Sequence, residues 1–269
     1  MRVWLSIVLS LLLGIPRSGA QTGPERWREP ARAAGLDPEL VVSLWTRATA
    51  QGWSAAPLEE LIETSLALER QGAPGELLLQ KALEGLAKQV PQEQVLRVIG
   101  SLERTVARTQ EMFRQREAQW LERMPSLAER EARRQLMREI TLSQMQGTGL
   151  EAIAQAMDRW VRLRRRPDWR DLAAAVRLLP EMPTPPVQAA ELIAALLEAG
   201  GRTPELGQLP GALRMAQQQM RLPSEAIAQM ATRHIRGGMP VPELLERMRR
   251  GTLDRRPLEG LGRPGRPRG

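Results

Sequence analysis

Lys81 and Lys88 are the only lysines among 39 basic residues, and they stand seven positions apart. On a helix that spacing puts both ammonium groups on one face, with Glu84 and Gly85 between them. Such a strip suits an anionic ligand or partner, because an ammonium acts as a compact point charge where arginine acts as a planar fork. The plainer reading is two lysines laid along a helix whose glycine packs against a neighbour. Glycine inside a helix costs about 1 kcal/mol relative to alanine, and close approach of another helix is the simplest reason to keep it. His234 is the only histidine, and there is no cysteine. One imidazole without thiols does not build the usual zinc site, and no nucleophile elbow accompanies it. It reads as a structural histidine near a helix C-terminus, where the helix dipole favours positive charge. The methionines, Met1 apart, all fall from Met112 onward. They are dispersed, without the close runs that hold soft copper(I), and read as core filling. Carboxylates are plentiful but pair with arginines at helical spacing. No acid stands isolated in an apolar setting as general acid–base work would require. No catalytic residue, metal ligand or cofactor site is assigned, and the chain reads as a non-enzyme.

Arg255, Arg256, Arg263, Arg266 and Arg268 crowd a Gly/Pro-rich end that holds only Asp254 and Glu259 against them. They are candidates for contact with an anionic membrane surface or polymer, beside the plainer reading of a solubilising disordered tail. The formal net charge is +8. Most of that excess sits in this tail and in the leader, so the body is close to neutral, which argues against a nucleic-acid partner. At the other end, Arg2 precedes an apolar run from Val3 to Ile15, and Ser18-Gly19-Ala20 offers small residues. Residues 1–20 are therefore expected to be a signal peptide cut between Ala20 and Gln21, with export to the periplasm or beyond. The run is too short to span a bilayer. Without cysteine there are no disulfides, and stability must come from packing.

The elements that would position these residues follow a rhythm of proline and glycine. Asp37-Pro38-Glu39 opens a helix with a cap, a first-position proline and an acid at the positive end of the dipole. Openings follow at Pro57, Pro74 and Pro91, and a second series runs through Gly149, Pro167, Pro186, Thr203, Pro223 and Pro240. A helix of about a dozen residues plus a short turn fills each interval. Two such helices have the size of a helical solenoid repeat, although the tetratricopeptide pattern is missing. Between the two series, Val95, Ile99, Leu102, Val106, Thr109, Phe113, Arg116 and Trp120 follow a 4-3-4-3 spacing, a coiled-coil-like seam with one polar step. Met124-Pro125 interrupts it. Ser126 to Glu129 then reads as a capping box, with a supportive Glu129–Arg133 pair. The second helix shows a thinner face of Ala132, Leu136, Ile140 and Met145.

The expected architecture is all-α: short Pro/Gly-punctuated helices in solenoid-like arrays with a long antiparallel helical hairpin between them. The divisions are a signal peptide (1–20), a flexible arm (21–34), an N-terminal array (35–91), the hairpin (92–147), a C-terminal array (148–250) and a disordered basic tail (251–269). Trp120, near the hairpin tip, is a candidate anchor for a protein partner. Lys81, Gly85 and Lys88 form the other candidate partner-binding site.

The segment Lys81-Ala-Leu-Glu-Gly-Leu-Ala-Lys-Gln-Val-Pro91 resembles an element of uncharacterised exported helical proteins of bacteria, which carry Gly-Leu-Ala-Lys-x-Val-Pro. The resemblance covers mainly residues 35–100 and, more loosely, 200–250. It implies an exported helical protein and no activity. Together these readings predict a non-catalytic periplasmic scaffold or protein-binding module. The alternative is an envelope-associated factor whose arginine tail binds an anionic surface.

Overall fold

The structure is a computed structural model that describes residues 23–253. The expected signal peptide with its Ala20–Gln21 cleavage site, and Arg255, Arg256, Arg263, Arg266 and Arg268, lie outside the described residues. The chain is all-helical there, with no strand among the described residues. The helices are α1 (Arg28–Ala34), α2 (Pro38–Ala50), α3 (Ala55–Arg70), α4 (Glu76–Ala87), α5 (Gln92–Arg123), α6 (Arg130–Met145), α7 (Leu150–Trp160), α8 (Trp169–Leu178), α9 (Pro186–Glu198), α10 (Thr203–Met220), α11 (Ser224–Arg236) and α12 (Val241–Arg249). No described helix is long and apolar enough to cross a membrane.

The punctuation acts largely as its chemistry dictates. Asp37 accepts the Glu39 N–H at 2.9 Å and caps α2, and Asp168 accepts the Arg170 N–H at 3.1 Å and caps α8. Each satisfies a donor that the helix itself leaves free. Several expectations need correction. The stretch expected to be a flexible arm is helical from Pro24, first as a 3-10 turn and then as α1. Trp27, Ala31 and Ala34 are buried, and the Arg26 guanidinium lies 4.7 Å from the Trp27 ring centre and 5.1 Å from that of Trp45. Of the two prolines that suggest a loose segment, Pro24 opens the 3-10 turn and Pro30 stands third in α1, both within a first turn, where proline is tolerated. The expected capping box at Ser126 does not form. Pro125–Ala128 is a 3-10 turn, and Glu129 stands at the N-cap without a side-chain hydrogen bond. Arg133 pairs with Glu117 across to α5 rather than with Glu129. Met145 is exposed while Ala132, Leu136 and Ile140 are buried. The tail begins later than expected, because Leu253 is buried and the Thr252 N–H bonds the Arg247 carbonyl at 2.9 Å.

The apolar residues gather into two clusters. The first runs from Trp27 to Val106 and is built by α1 to α4 with the first half of α5. The second runs from Met112 to Leu253 and takes the rest of α5 through α12. One helix thus serves both cores with one seam: Val95, Ile99, Leu102 and Val106 in the first, Phe113 and Trp120 in the second. The changeover is polar. Buried Thr109 donates to the Thr105 carbonyl at 3.0 Å and accepts from Gln144 of α6 at 2.8 Å. Beyond α5, α6 packs on α8, α8 on α10 and α10 on α12, while α7 packs on α9 and α9 on α11.

Candidate functional site

Around Gly85, α5 packs directly against the backbone of α4. A Cβ placed on Gly85 would lie 2.5 Å from Val95 Cγ2 and 3.0 Å from Val95 Cγ1. Valine is stiff at χ1 and cannot swing away. The glycine is therefore required by packing. Gly85→Ala is expected to destabilise the fold by about 1–2 kcal/mol, since overpacking costs about 1–3 kcal/mol and the better helix propensity of alanine returns up to about 1 kcal/mol. Chemical denaturation of the variant measures this, and an unchanged or raised midpoint would contradict the close approach.

The two lysines beside it do not stand free. Glu84 accepts from Lys81 Nζ at 2.7 Å and from Lys88 Nζ at 2.5 Å. One carboxylate thus takes both ammonium groups, which leaves the strip with a single net positive charge. Hydrogen bonds from Lys81 and then Lys88 pull the Glu84 carboxyl from 4.5 down to about 2. A depressed acid stabilises the folded state above its unfolded pKa and loses that contribution as pH falls toward its folded one. The clasp should therefore weaken between about pH 4.5 and pH 2. Glu84→Gln should flatten that part of the acid limb in thermal melts. Because the clasp is exposed, the effect should be small and should shrink with added salt. A variant melting curve that parallels the wild type across this window would contradict it.

Trp120 requires correction as a partner anchor. It is 1 % exposed. Its indole N–H donates to Asp158 Oδ1 at 2.7 Å, and its ring meets Phe113 edge-on at 5.1 Å. The polar step of the seam has a partner too, since Arg116 Nε lies 3.4 Å from Asp158 Oδ2. His234 is buried on α11. Among the described residues, no three His, Cys, Asp or Glu side chains come together as a metal site.

Buried acids exist that the sequence reading missed. Glu69, 1 % exposed, ends α3 and accepts the Glu76 N–H at 3.0 Å, so it caps α4 from seven residues away. Burial pushes its carboxyl up, against the pull of that hydrogen bond and of Arg134. Arg130 of α6 donates to the Glu69 carbonyl at 2.7 Å and to the Ala34 carbonyl at 3.2 Å, tying α6 to the first core. Asp171 on α8 accepts from the Thr203 N–H at 3.0 Å, the Thr203 hydroxyl at 2.9 Å and Arg202 at 2.8 Å. Glu139 on α6 accepts from Gln135 at 2.9 Å and is also pushed up by burial. Glu69 and Asp171 join elements that the local spacing gave no reason to connect. Each of these acids is engaged by its own neighbours, and none lines a described groove with a second acid.

A different cationic surface lies between α9 and α11. A groove of about 330 Å³ is bordered by Gln188 and Glu191 on α9 and by Gln229, Thr232, Arg233 and Arg236 on α11. Arg233 and Arg236 are exposed, three residues apart on one helix face. Glu191 is engaged on its other side by Arg159 of α7 at 3.0 Å. Against family models, curated proteins and solved structures, the chain finds no match.

Proposed function

We propose that this chain is an exported, non-catalytic scaffold, a helical-repeat protein of the solenoid type that binds a protein partner. The observation that carries the reading is the order of packing, with α6, α8, α10 and α12 in one row and α7, α9 and α11 in the other. Helices stacked on their next-but-one neighbours bury one face each and leave extended surfaces open to a partner. Matching turns add support. Gly52, Gly72 and Gln89 hold positive φ after α2, α3 and α4, and Gly200, Arg221 and Gly238 do so after α9, α10 and α11. The closing hydrogen bonds correspond as well: Trp53 N–H to the Ala48 carbonyl at 2.9 Å and Gly201 N–H to the Leu196 carbonyl at 2.8 Å. Likewise the Val90 N–H reaches the Gly85 carbonyl at 2.9 Å, and the Met239 N–H reaches the His234 carbonyl at 3.0 Å. In this reading α5 and α6 are a hairpin that lies across both cores as a brace. The test is affinity capture of the chain from residue 21 onward out of a native envelope extract. Recovery of a discrete partner in constant ratio at physiological salt is expected. Nothing enriched over beads carrying an unrelated helical protein would overturn the reading.

The clustered arginines of the tail favour a second reading, contact with an anionic membrane surface through Arg255, Arg256, Arg263, Arg266 and Arg268. Truncation after Leu253 should then lower cosedimentation with phosphatidylserine-containing vesicles at low salt. Equal sedimentation rejects it.

A further inference from the structure

Along one row of helices, basic residues find acids on the next helix. Arg116 of α5 meets Asp158 of α7 at 3.4 Å, and Arg159 of α7 meets Glu191 of α9 at 3.0 Å. At the α9–α11 groove the pattern stops. Its one carboxylate, Glu191, already serves Arg159, and Thr232 donates its hydroxyl to the Ala228 carbonyl at 2.8 Å. Among the described residues Arg233 and Arg236 have no ion-pair partner, so two full charges face a groove with nothing to balance them. Gln188 also borders the groove, but its Oε1 is closed off from solvent and is not offered to a ligand there. The site therefore presents two cationic forks on one helix face.

We propose that this groove binds an acidic peptide segment, with two carboxylates at alternate positions on Arg233 and Arg236. The inference rests on the binding-scaffold reading and names its partner's chemistry. Arg233 and Arg236 rise about 4.5 Å along α11. Alternate side chains of an extended strand repeat at about 6.6 Å, a difference that two long guanidinium arms span. A single phosphate offers one anionic centre where the peptide offers a separate carboxylate to each guanidinium, so the peptide should compete at far lower concentration than phosphate. The lysine clasp on α4 offers no comparable site, because Glu84 already occupies both ammonium groups.

The test uses the full chain and a fluorescein-labelled Glu-Ser-Glu-Ser-Glu-Ser peptide, read by anisotropy. Saturable binding is expected, and Arg233→Ala with Arg236→Ala should weaken it by roughly 10- to 100-fold. Wild type and variant carry the same tail, so its contribution cancels. Circular dichroism checks that the double variant stays helical. Arg233→Glu with Arg236→Glu should lose the acidic peptide and gain a Lys-Ser-Lys-Ser-Lys-Ser peptide, a switch that misfolding cannot produce. Equal affinity in wild type and Arg233→Ala/Arg236→Ala overturns the proposal, as does competition by inorganic phosphate at concentrations as low as those of unlabelled peptide. If envelope capture recovers a partner while the peptide does not bind, this inference fails and the scaffold reading stands.

Discussion

Replacing Trp120 with alanine is expected to destabilise the folded chain by about 3–5 kcal/mol, the usual cost of removing a buried tryptophan from a packed core. The side chain is 1 % exposed and fills the junction between α5 and α7. Truncation opens a cavity, removes the edge-on contact with Phe113 and leaves Asp158 with Arg116 alone. Aromatic pairs of that geometry add about 0.5–1.5 kcal/mol beyond area burial. Trp120→Phe should cost much less, since it keeps most of the apolar volume and forfeits the indole N–H bond. Urea denaturation separates the two variants. A midpoint for Trp120→Ala close to that of the wild type would mean that the side chain is not in the core. An exposed anchor would show that result, losing partner capture while stability stayed constant.

Asp171→Ala is expected to cost about 2–3 kcal/mol, more than Asp168→Ala one turn earlier in the sequence. Asp168 is an N-cap at the surface with one backbone donor, and such caps are worth about 1 kcal/mol. Asp171 is buried, and three donors converge on it from the start of α10. Without it, the Thr203 N–H and hydroxyl lose their acceptor in a half-buried site, and leaving such groups unsatisfied costs about 1–3 kcal/mol. Arg202 is half-exposed and can turn to solvent, which limits the total. Asp171→Asn should fall between, keeping an oxygen for Thr203 while losing the charge that attracts Arg202. Denaturation midpoints of the three variants rank the effects. Equal losses for the alanine substitutions at 168 and 171 would mean that Asp171 is only a local cap and does not join α8 to α10.

Both predictions concern residues whose role depends on who their neighbours are, and here the sequence had least to say. The seam of α5 was legible because its 4-3-4-3 spacing is a property of one helix. Every apolar member of it is buried, down to Trp120. The same spacing could not tell whether Trp120 faces a core or a partner, because a seam near a helix end looks the same in either case. The Pro24–Ala34 segment departs from its sequence expectation for a related reason. Its polar composition is that of an arm, and its ordering comes from Trp27 meeting Trp45 and Arg26, contacts that no local pattern announces. The lysines stand out by rarity, and the clasp on Glu84 is within reach of helical spacing, since Lys81 and Lys88 stand three and four residues from that acid. Arg233 and Arg236 do not stand out in the sequence because arginine is common in this chain. Only the assembled rows reveal that the acid opposite them is already engaged by Arg159.

The sequence by itself determined the all-helical class, the places where most helices begin and end, and the seam that runs through α5. These follow from caps, prolines, positive-φ turns and apolar spacing, all of which act within a few residues. Only the tertiary structure decided that α5 passes from one core into another at Thr109, that Glu69 and Asp171 cap helices belonging to other turns, and that Gly85 exists to admit Val95. It likewise decided which cations are ion-paired across helices and which are not. The physical reason is common to all four. Burial, desolvation and charge compensation depend on groups brought together from distant parts of the chain, and the pattern along a single helix carries no record of them.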